Sequence, residues 1–315
     1  VEKGIKVLLL FGPTAVGKTE VLTCLFGSAA EIAGLKTAEV INADSMQVYR
    51  YMDIGTAKPD QEVLSQVPHH LIDIVTPDYQ FTVGDFVKSA DFAVKEILER
   101  GGMPVLAGGT AFYLKNFMFG LPETPPGNSE VKRRLQEELA ELGEEEMYRR
   151  LMAKDPKTAK RLYPADTYRV LRSLEVLEVT GNPLSACKVP ESPRQHYDFL
   201  LLGLKRPREL LYERINRRVD KMFSQGFREE VKDLVQRGYS EADPGMQAIG
   251  YKDFLVMRRT GCISIPMLKE RIKRQTRRYA KRQITFFKKL PDVHWYSPED
   301  FSGMMKKIGE FFSII

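Results

Sequence analysis

The sequence predicts a phosphate-loop α/β protein, with a doubly wound parallel sheet and helices on both faces, interrupted by an all-helical insertion. Three observations carry that prediction. Short, continuous apolar runs alternate with helical periodicity, as expected of strands covered on both faces. The first run, Val7 to Phe11, leads straight into Gly12-Pro13-Thr14-Ala15-Val16-Gly17-Lys18-Thr19. Strand patterning then stops near residue 121 and resumes only at Phe199.

The loop at 12–19 has the form G-x-x-x-x-G-K-T at the end of a strand. Its glycines let backbone N–H groups turn inward around an anion, and the helix that follows adds its dipole. All eight residues are therefore candidate diphosphate ligands. Lys18 supplies a point charge, and the Thr19 hydroxyl supplies a seat for a Mg²⁺ bridging the phosphate oxygens. The motif does not say which phosphate compound is held.

A chain of 315 residues with 43% hydrophobic residues can bury a substantial core, and the length suggests about two domains. The net charge of +6 is unevenly spread. Residues 1–120 carry 10 Lys and Arg against 14 Asp and Glu, a net of −4, whereas the remainder carries 38 against 28, a net of +10. That asymmetry suggests a polyanion docking on the second part, though a solvated basic surface has the same composition. Cys24, Cys187 and Cys262 lie far apart without metal spacing, so neither a disulfide framework nor a zinc site is indicated. The short apolar run near the start is too short to span a membrane and lacks a cleavage region. The expectation is a soluble cytoplasmic protein without a membrane partner, acting as a monomer.

Strands are predicted over Val7 to Phe11, Glu39 to Asn42, Leu71 to Val75, Val105 to Ala107 and Phe199 to Leu204. Between them, Thr82 to Arg100 places Phe86, Val87, Ala90, Ala93, Val94 and Ile97 on one helical face and stops at Gly101-Gly102. In such folds ligands sit at the carboxyl ends of the strands. There the chain places Asp44-Ser45-Met46-Gln47 after the second strand and Gly108-Gly109-Thr110 after the fourth. Asp44 can serve as a base or orient water or metal, or it can merely cap a helix; Thr110 has the same ambiguity.

From Leu121 the composition turns rich in Pro and turn formers, and helices follow. Ser129 is expected to cap one, with Val131, Leu135, Leu139 and Leu142 inward and a stop at Gly143. Another opens at Asp166, buries Val170, Leu174 and Leu177, and ends at Gly181, with Arg169 and Arg172 on its solvent side. Residues 121–196 are thus expected as a helical insertion within a core of 1–120 and 197–315. A helix from Pro207 to Gln225 buries Leu211, Ile215, Val219 and Met222. Its Arg214 and Arg218 lie four apart on a neighbouring face, exposed to solvent or available to intrahelical ion pairs with Glu213 or Asp220. From Met267 to Leu290 ten Lys and Arg face a single acid, Glu270, interleaved with Tyr279, Phe286 and Phe287. RNA binders use such mixtures for phosphates and unstacked bases, although the rings could equally be a buried stripe.

The segments GPTAVGKT (12–19), NADSMQVYRYMDIGTAKP (42–59), PHHLIDI (68–74), AGGTAFY (107–113), DTYRVLRSLEV (166–176), QAIGYK (247–252) and RRYAKRQITFF (277–287) occur in one order. Together they resemble the tRNA dimethylallyltransferase (tRNA isopentenyltransferase) family over nearly the whole chain. The resemblance implies transfer of a dimethylallyl group from dimethylallyl diphosphate to N6 of the adenosine on the 3′ side of the anticodon. It implies Asp44 as base, Thr110 at the reacting centre, and Lys18 with Arg214 or Arg218 on the leaving diphosphate, with Mg²⁺ on Thr19. It further implies tRNA contacts from Asp44, Ser45, Met46, Gln47, Thr110, Tyr168, Arg169, Arg172, Gln247, Gly250, Tyr251, Lys252, Arg278, Lys281, Arg282, Gln283 and Phe286. The insertion is expected to clasp the anticodon stem-loop. Tyr168 stands where the family pattern commonly has Gln, and Phe286 where it often has Trp. A phosphate-loop kinase using ATP on a small molecule or nucleoside would explain the loop and Asp44 but not the basic aromatic stretch. A noncatalytic RNA binder switched by ATP or GTP would leave RNA covalently unchanged.

Overall fold

The computed structural model describes residues 4–27, 37–259, 261 and 264–313; Cys262 lies outside them. The chain divides into two units, Val1–Met118 with Arg194–Ile315, and Phe119–Pro193.

A six-stranded, all-parallel sheet organises the first unit, in the order β3-β2-β4-β1-β5-β6. Its strands are β1 (Ile5–Phe11), β2 (Ala38–Asn42), β3 (His69–His70), β4 (Met103–Gly108), β5 (Tyr197–Leu204) and β6 (His294–Tyr296). β1 runs between β4 and β5, with Leu10 opposite Ala107 on one side and Leu202 on the other. Val7, Leu8, Leu9, Leu10 and Phe11 are wholly buried, which is why an unbroken apolar run is required there. The helices of this unit are α1 (Lys18–Phe26), α2 (Gln61–Gln66), α3 (Val83–Glu99) and α4 (Ala111–Phe119) before the second unit. The apolar face predicted for α3 is the one it buries, and Thr82 and Asp85 close its start as a reciprocal capping box.

Leu71 to Val75 is not a strand, contrary to expectation. Leu71 and Asp73 take left-handed conformations (φ 62° and 57°), which break the ladder after His70, and Val75 alone bridges to Tyr49. The histidines serve the sheet: His70 Nε2 lies 2.8 Å from Glu39 Oε2, and His69 Nδ1 lies 2.7 Å from the Val67 carbonyl. Hydrogen bonding from Arg100, then from His70, holds the Glu39 carboxyl below its ordinary range.

The second unit contains α5 (Ser129–Lys154), α6 (Pro156–Ala159) and α7 (Thr167–Thr180). Its core is Leu135, Met147, Leu151, Ala159, Val170 and Leu174. Asn128, not Ser129, caps α5, accepting the Glu130 and Val131 amides at 3.1 and 3.0 Å. Gly143 (φ 79°, ψ 169°) is non-helical and breaks α5 into two helical stretches, the stop expected there, whereas Leu142, expected inward, is exposed. Gly181 closes α7 in a left-handed conformation.

The first unit resumes with β5 and continues through α8 (Arg208–Ser224), α9 (Phe227–Gln236), α10 (Tyr251–Arg259), α11 (Ile265–Phe287) and α12 (Phe301–Phe312). Leu211 and Ile215 of α8, Ala280 of α11, and Met304 and Ile308 of α12 join the core that covers the sheet. This places α8 and α11 beside the loop that follows β1.

Candidate active site

The loop between β1 and α1 is shaped by two demands. A Cβ on Gly12 would stand 2.9 Å from the Leu204 carbonyl, and Gly17 is left-handed at φ 117°. Three arginines bind the loop from later in the chain. Arg206 Nε donates to the Val16 carbonyl (2.7 Å), Arg214 Nε to the Ala15 carbonyl (2.8 Å), and Arg218 Nη1 to Thr14 Oγ1 (3.3 Å). With its carbonyls engaged, the loop keeps amide donors for an anion. Neither Arg214 nor Arg218 pairs with Glu213 or Asp220: Arg214 is additionally bound to Glu20, and Arg218 donates to the Thr56 carbonyl at 3.1 Å. Arg206 carried no signal in the sequence, since a single Arg before a helix has no distinctive spacing.

Lys18 Nζ donates to the Gly12 and Pro13 carbonyls at 3.0 and 3.1 Å. Burial pulls its pKa down to about 8, opposed by the Asp44 charge and reinforced by Arg218. Burial also lowers the Arg218 pKa, again against Asp44. One carboxylate and two desolvated cations thus feel one another at the mouth of the loop.

The ends of β2 and β4 touch. A Cβ on Gly108 would lie 2.2 Å from the Ala43 carbonyl, so only glycine permits this approach. Ala43 donates to the Ala107 carbonyl and Thr110 to the Ala43 carbonyl, bringing Asp44 beside Thr110. Asp44 Oδ1 accepts the Met46 amide (2.9 Å), a local turn as its position allowed; Oδ2 makes no hydrogen bond among the described residues. The Thr110 hydroxyl accepts the Ser45 amide at 2.9 Å. Two residues of α11 close the group. Gln283 Oε1 accepts the Thr14 amide (2.9 Å) and its Nε2 donates to the Gly109 carbonyl (2.7 Å), tying two strand ends together. Burial, with the Asp44 charge, pushes the Tyr279 phenol up to about 12, opposed by the neighbouring Thr110, Arg282 and Gln283 side chains.

Several residues expected at an RNA surface lie inside. Tyr251 is wholly buried, its hydroxyl 2.5 Å from Glu230 Oε1, and Gly250 is buried beneath it. Gln283 is only 5% exposed, because both ends of its amide serve the backbone. Phe287 belongs to the core while Tyr279 and Phe286 are half-buried, so the aromatic series is divided. Gln247, Lys252, Arg278, Lys281 and Arg282 are exposed. A concavity of about 390 Å³ is lined by Ile249, Arg271, Arg274, Gln275, Arg278 and Arg282. In the second unit Tyr168 and Arg169 are 65% and 69% exposed, the latter paired with Asp166. Arg172 instead faces inward, donating to the Pro125 carbonyl (2.6 Å) and pairing with Glu175, so it is not the solvent-facing partner of Arg169.

Among the described residues no cluster of three or more His, Cys, Asp or Glu could hold a metal. The exposed Thr19 offers one hydroxyl, which suits an ion completed by phosphate oxygens and water.

A family model described as IPP transferase matches residues 47–290. The chain is 43% identical to the tRNA dimethylallyltransferase of Geobacter sulfurreducens over 98% of this chain and 97% of the relative. It is 41% identical to tRNA dimethylallyltransferase 2 of Geotalea uraniireducens over 99% of each. The full-length tRNA isopentenylpyrophosphate transferase of Bacillus halodurans matches with a TM-score of 0.67 at 36% identity, covering 98% of this chain and 96% of that one. A eukaryotic dimethylallyltransferase described as acting on tRNA matches with a TM-score of 0.78 at 28% identity, covering 98% of this chain and 79% of that one.

Proposed function

The chain belongs to the tRNA dimethylallyltransferase family and is a prenyltransferase, and from the site geometry we propose how its residues carry the transfer. The acceptor is N6 of the adenosine 3′ of the anticodon, and the donor is dimethylallyl diphosphate. The C–O bond to diphosphate breaks as the C–N bond forms, and Asp44 takes the N6 proton. An exocyclic amine is a weak nucleophile, so a carboxylate positioned for that proton lowers the barrier. The departing diphosphate is met by the amides of residues 15 and 17–19, by Lys18 and by Arg218, donors already oriented before the charge develops; the Thr14 and Val16 amides are taken by Gln283 and the Pro13 carbonyl. Arg214, bound to the Ala15 carbonyl and Glu20, holds the loop in shape. A Mg²⁺ at the Thr19 hydroxyl would supply further charge neutralisation on the phosphate oxygens.

The single observation that carries this reading is the convergence of Asp44 with Lys18 and Arg218 beside Thr110, which puts a base next to a diphosphate cradle. The exposed cations of α11, Gln247 and Lys252 suit the tRNA backbone, and Tyr168 and Arg169 suit an anticodon stem-loop held by the second unit. An adenosine in a loop is cheaper to extrude than one in a duplex. No helix among the described residues is long and apolar enough to cross a membrane; we place the enzyme in the cytoplasm, acting as a monomer. Diphosphate release from dimethylallyl diphosphate should require unmodified tRNA. Phosphate release from ATP without RNA would favour a kinase instead.

A further inference from the structure

We propose that Glu230 is a positioning residue for this reaction, acting on Gln47 and Arg218 through the turn at residues 53–57. This rests on the transferase reading above. Glu230 stands in the first turn of α9, far in sequence from that turn, yet its carboxylate is fully engaged by it. Oε2 accepts the amides of Asp53 (2.8 Å) and Ile54 (2.7 Å), and Oε1 accepts the Gly55 amide (3.1 Å) and the Tyr251 hydroxyl (2.5 Å). Three successive amides converging on one anion form a nest, and the Glu230 carboxylate satisfies all three donors of a turn otherwise closed by the Ala57-to-Ile54 and Lys58-to-Asp53 backbone bonds. A Cβ on Gly55 would stand 2.4 Å from the Tyr251 ring, so the glycine is required because the phenol closes over the turn.

The far side of this turn presents two carbonyls to the site. Gln47 Nε2 donates to the Thr56 carbonyl (3.2 Å) and the Ala57 carbonyl (3.1 Å). Arg218 Nη2 donates to the same Thr56 carbonyl (3.1 Å), while its Nη1 reaches Thr14 in the phosphate loop (3.3 Å). The amides on one face are fixed by Glu230; the carbonyls on the other fix a residue beside Asp44 and a cation on the phosphate loop. Removing the carboxylate frees three donors and lets both carbonyls shift. The two motifs around Gly55 and Tyr251 are thereby one device, closed by an acid outside both.

The test combines Glu230→Ala and Glu230→Gln with Gln47→Ala. Glu230→Ala should lower kcat/KM for tRNA by about tenfold or more and weaken binding of inorganic diphosphate with Mg²⁺ by about threefold, in protein that still melts cooperatively. Glu230→Gln, which keeps an acceptor, should fall between, and carries the comparison if the alanine variant fails to fold. Gln47→Ala should cost less in the Glu230→Ala background than alone, because Gln47 is already misplaced there. Losses that simply multiply, or wild-type kcat/KM and diphosphate affinity in the Glu230 variants, would overturn the proposal. If Gln47→Ala alone changes nothing, Gln47 is not a substrate contact. Diphosphate affinity then decides: weakened binding supports the role of Glu230, and unchanged binding overturns it.

Discussion

Raising the pH should weaken diphosphate binding through Lys18, by an amount that follows from its surroundings. In the ligand-free protein desolvation holds this ammonium at about 8. A bound diphosphate favours the charged form and raises that value, so affinity falls about tenfold per pH unit above 8 until the pKa of the complex is reached. Between pH 7 and pH 9 the charged fraction drops from about nine-tenths to about one-tenth, a loss of about 1.4 kcal/mol in binding. The ligand-free fold responds with the opposite sign. Its Lys18 is depressed from the ordinary 10.5, so the unfolded chain binds the extra proton, and this group's contribution to stability rises as pH climbs from about 8 towards 10.5. Calorimetric titration of inorganic diphosphate across this range, on wild type and Lys18→Met, separates the lysine from the titration of the ligand itself. Wild type should show the steeper fall. Parallel curves would mean that Lys18 does not bind diphosphate as an ammonium of lowered pKa.

Asp44→Ala should reduce single-turnover transfer by about 10² or more while leaving tRNA affinity in a filter-binding assay nearly intact; near-normal turnover would rule Asp44 out as the base. Replacing Arg278 and Lys281 by alanine should weaken tRNA binding and flatten its dependence on salt by about one to two phosphate contacts. An unchanged slope would mean that neither touches the backbone. Gln283→Leu leaves the Thr14 amide and the buried Gly109 carbonyl without their partner, and should cost about 1–3 kcal/mol in denaturant unfolding together with diphosphate affinity. Stability and affinity equal to wild type would show the bridge to be dispensable.

What could be read from the sequence was local and periodic. The β1 loop and the buried face of α3 announced themselves because each is a short-range pattern with one physical meaning, whereas Asp44 after β2 was visible as a residue but not as a role, since a base and a cap look alike in sequence. β6 escaped because three residues, His294 exposed and Trp295 and Tyr296 half-buried, carry no periodicity. Leu71 to Val75 misled because an apolar run does not reveal left-handed backbone at Leu71 and Asp73. Arg206, Arg214 and Arg218 find the phosphate loop across about two hundred residues, a pairing that no spacing encodes. Gln283 was legible in principle. Leu268, Ile272, Ala280, Gln283 and Phe287 share the buried stripe of α11, so helical periodicity assigns the amide to the interior even though its neighbours are cations. Glu230 was not legible, since its partners are backbone amides brought to it only by the fold.

The transfer itself is decided by mass. Protein, Mg²⁺ and unmodified tRNA carrying adenosines in its anticodon loop are incubated with dimethylallyl diphosphate or with ATP, and the RNA is digested to nucleosides and weighed. The site described here predicts one adenosine, 3′ of the anticodon, heavier by a single five-carbon unit, and only with the prenyl donor. RNA left unchanged under conditions where a known transferase works, with ATP consumed on a small acceptor, would contradict it.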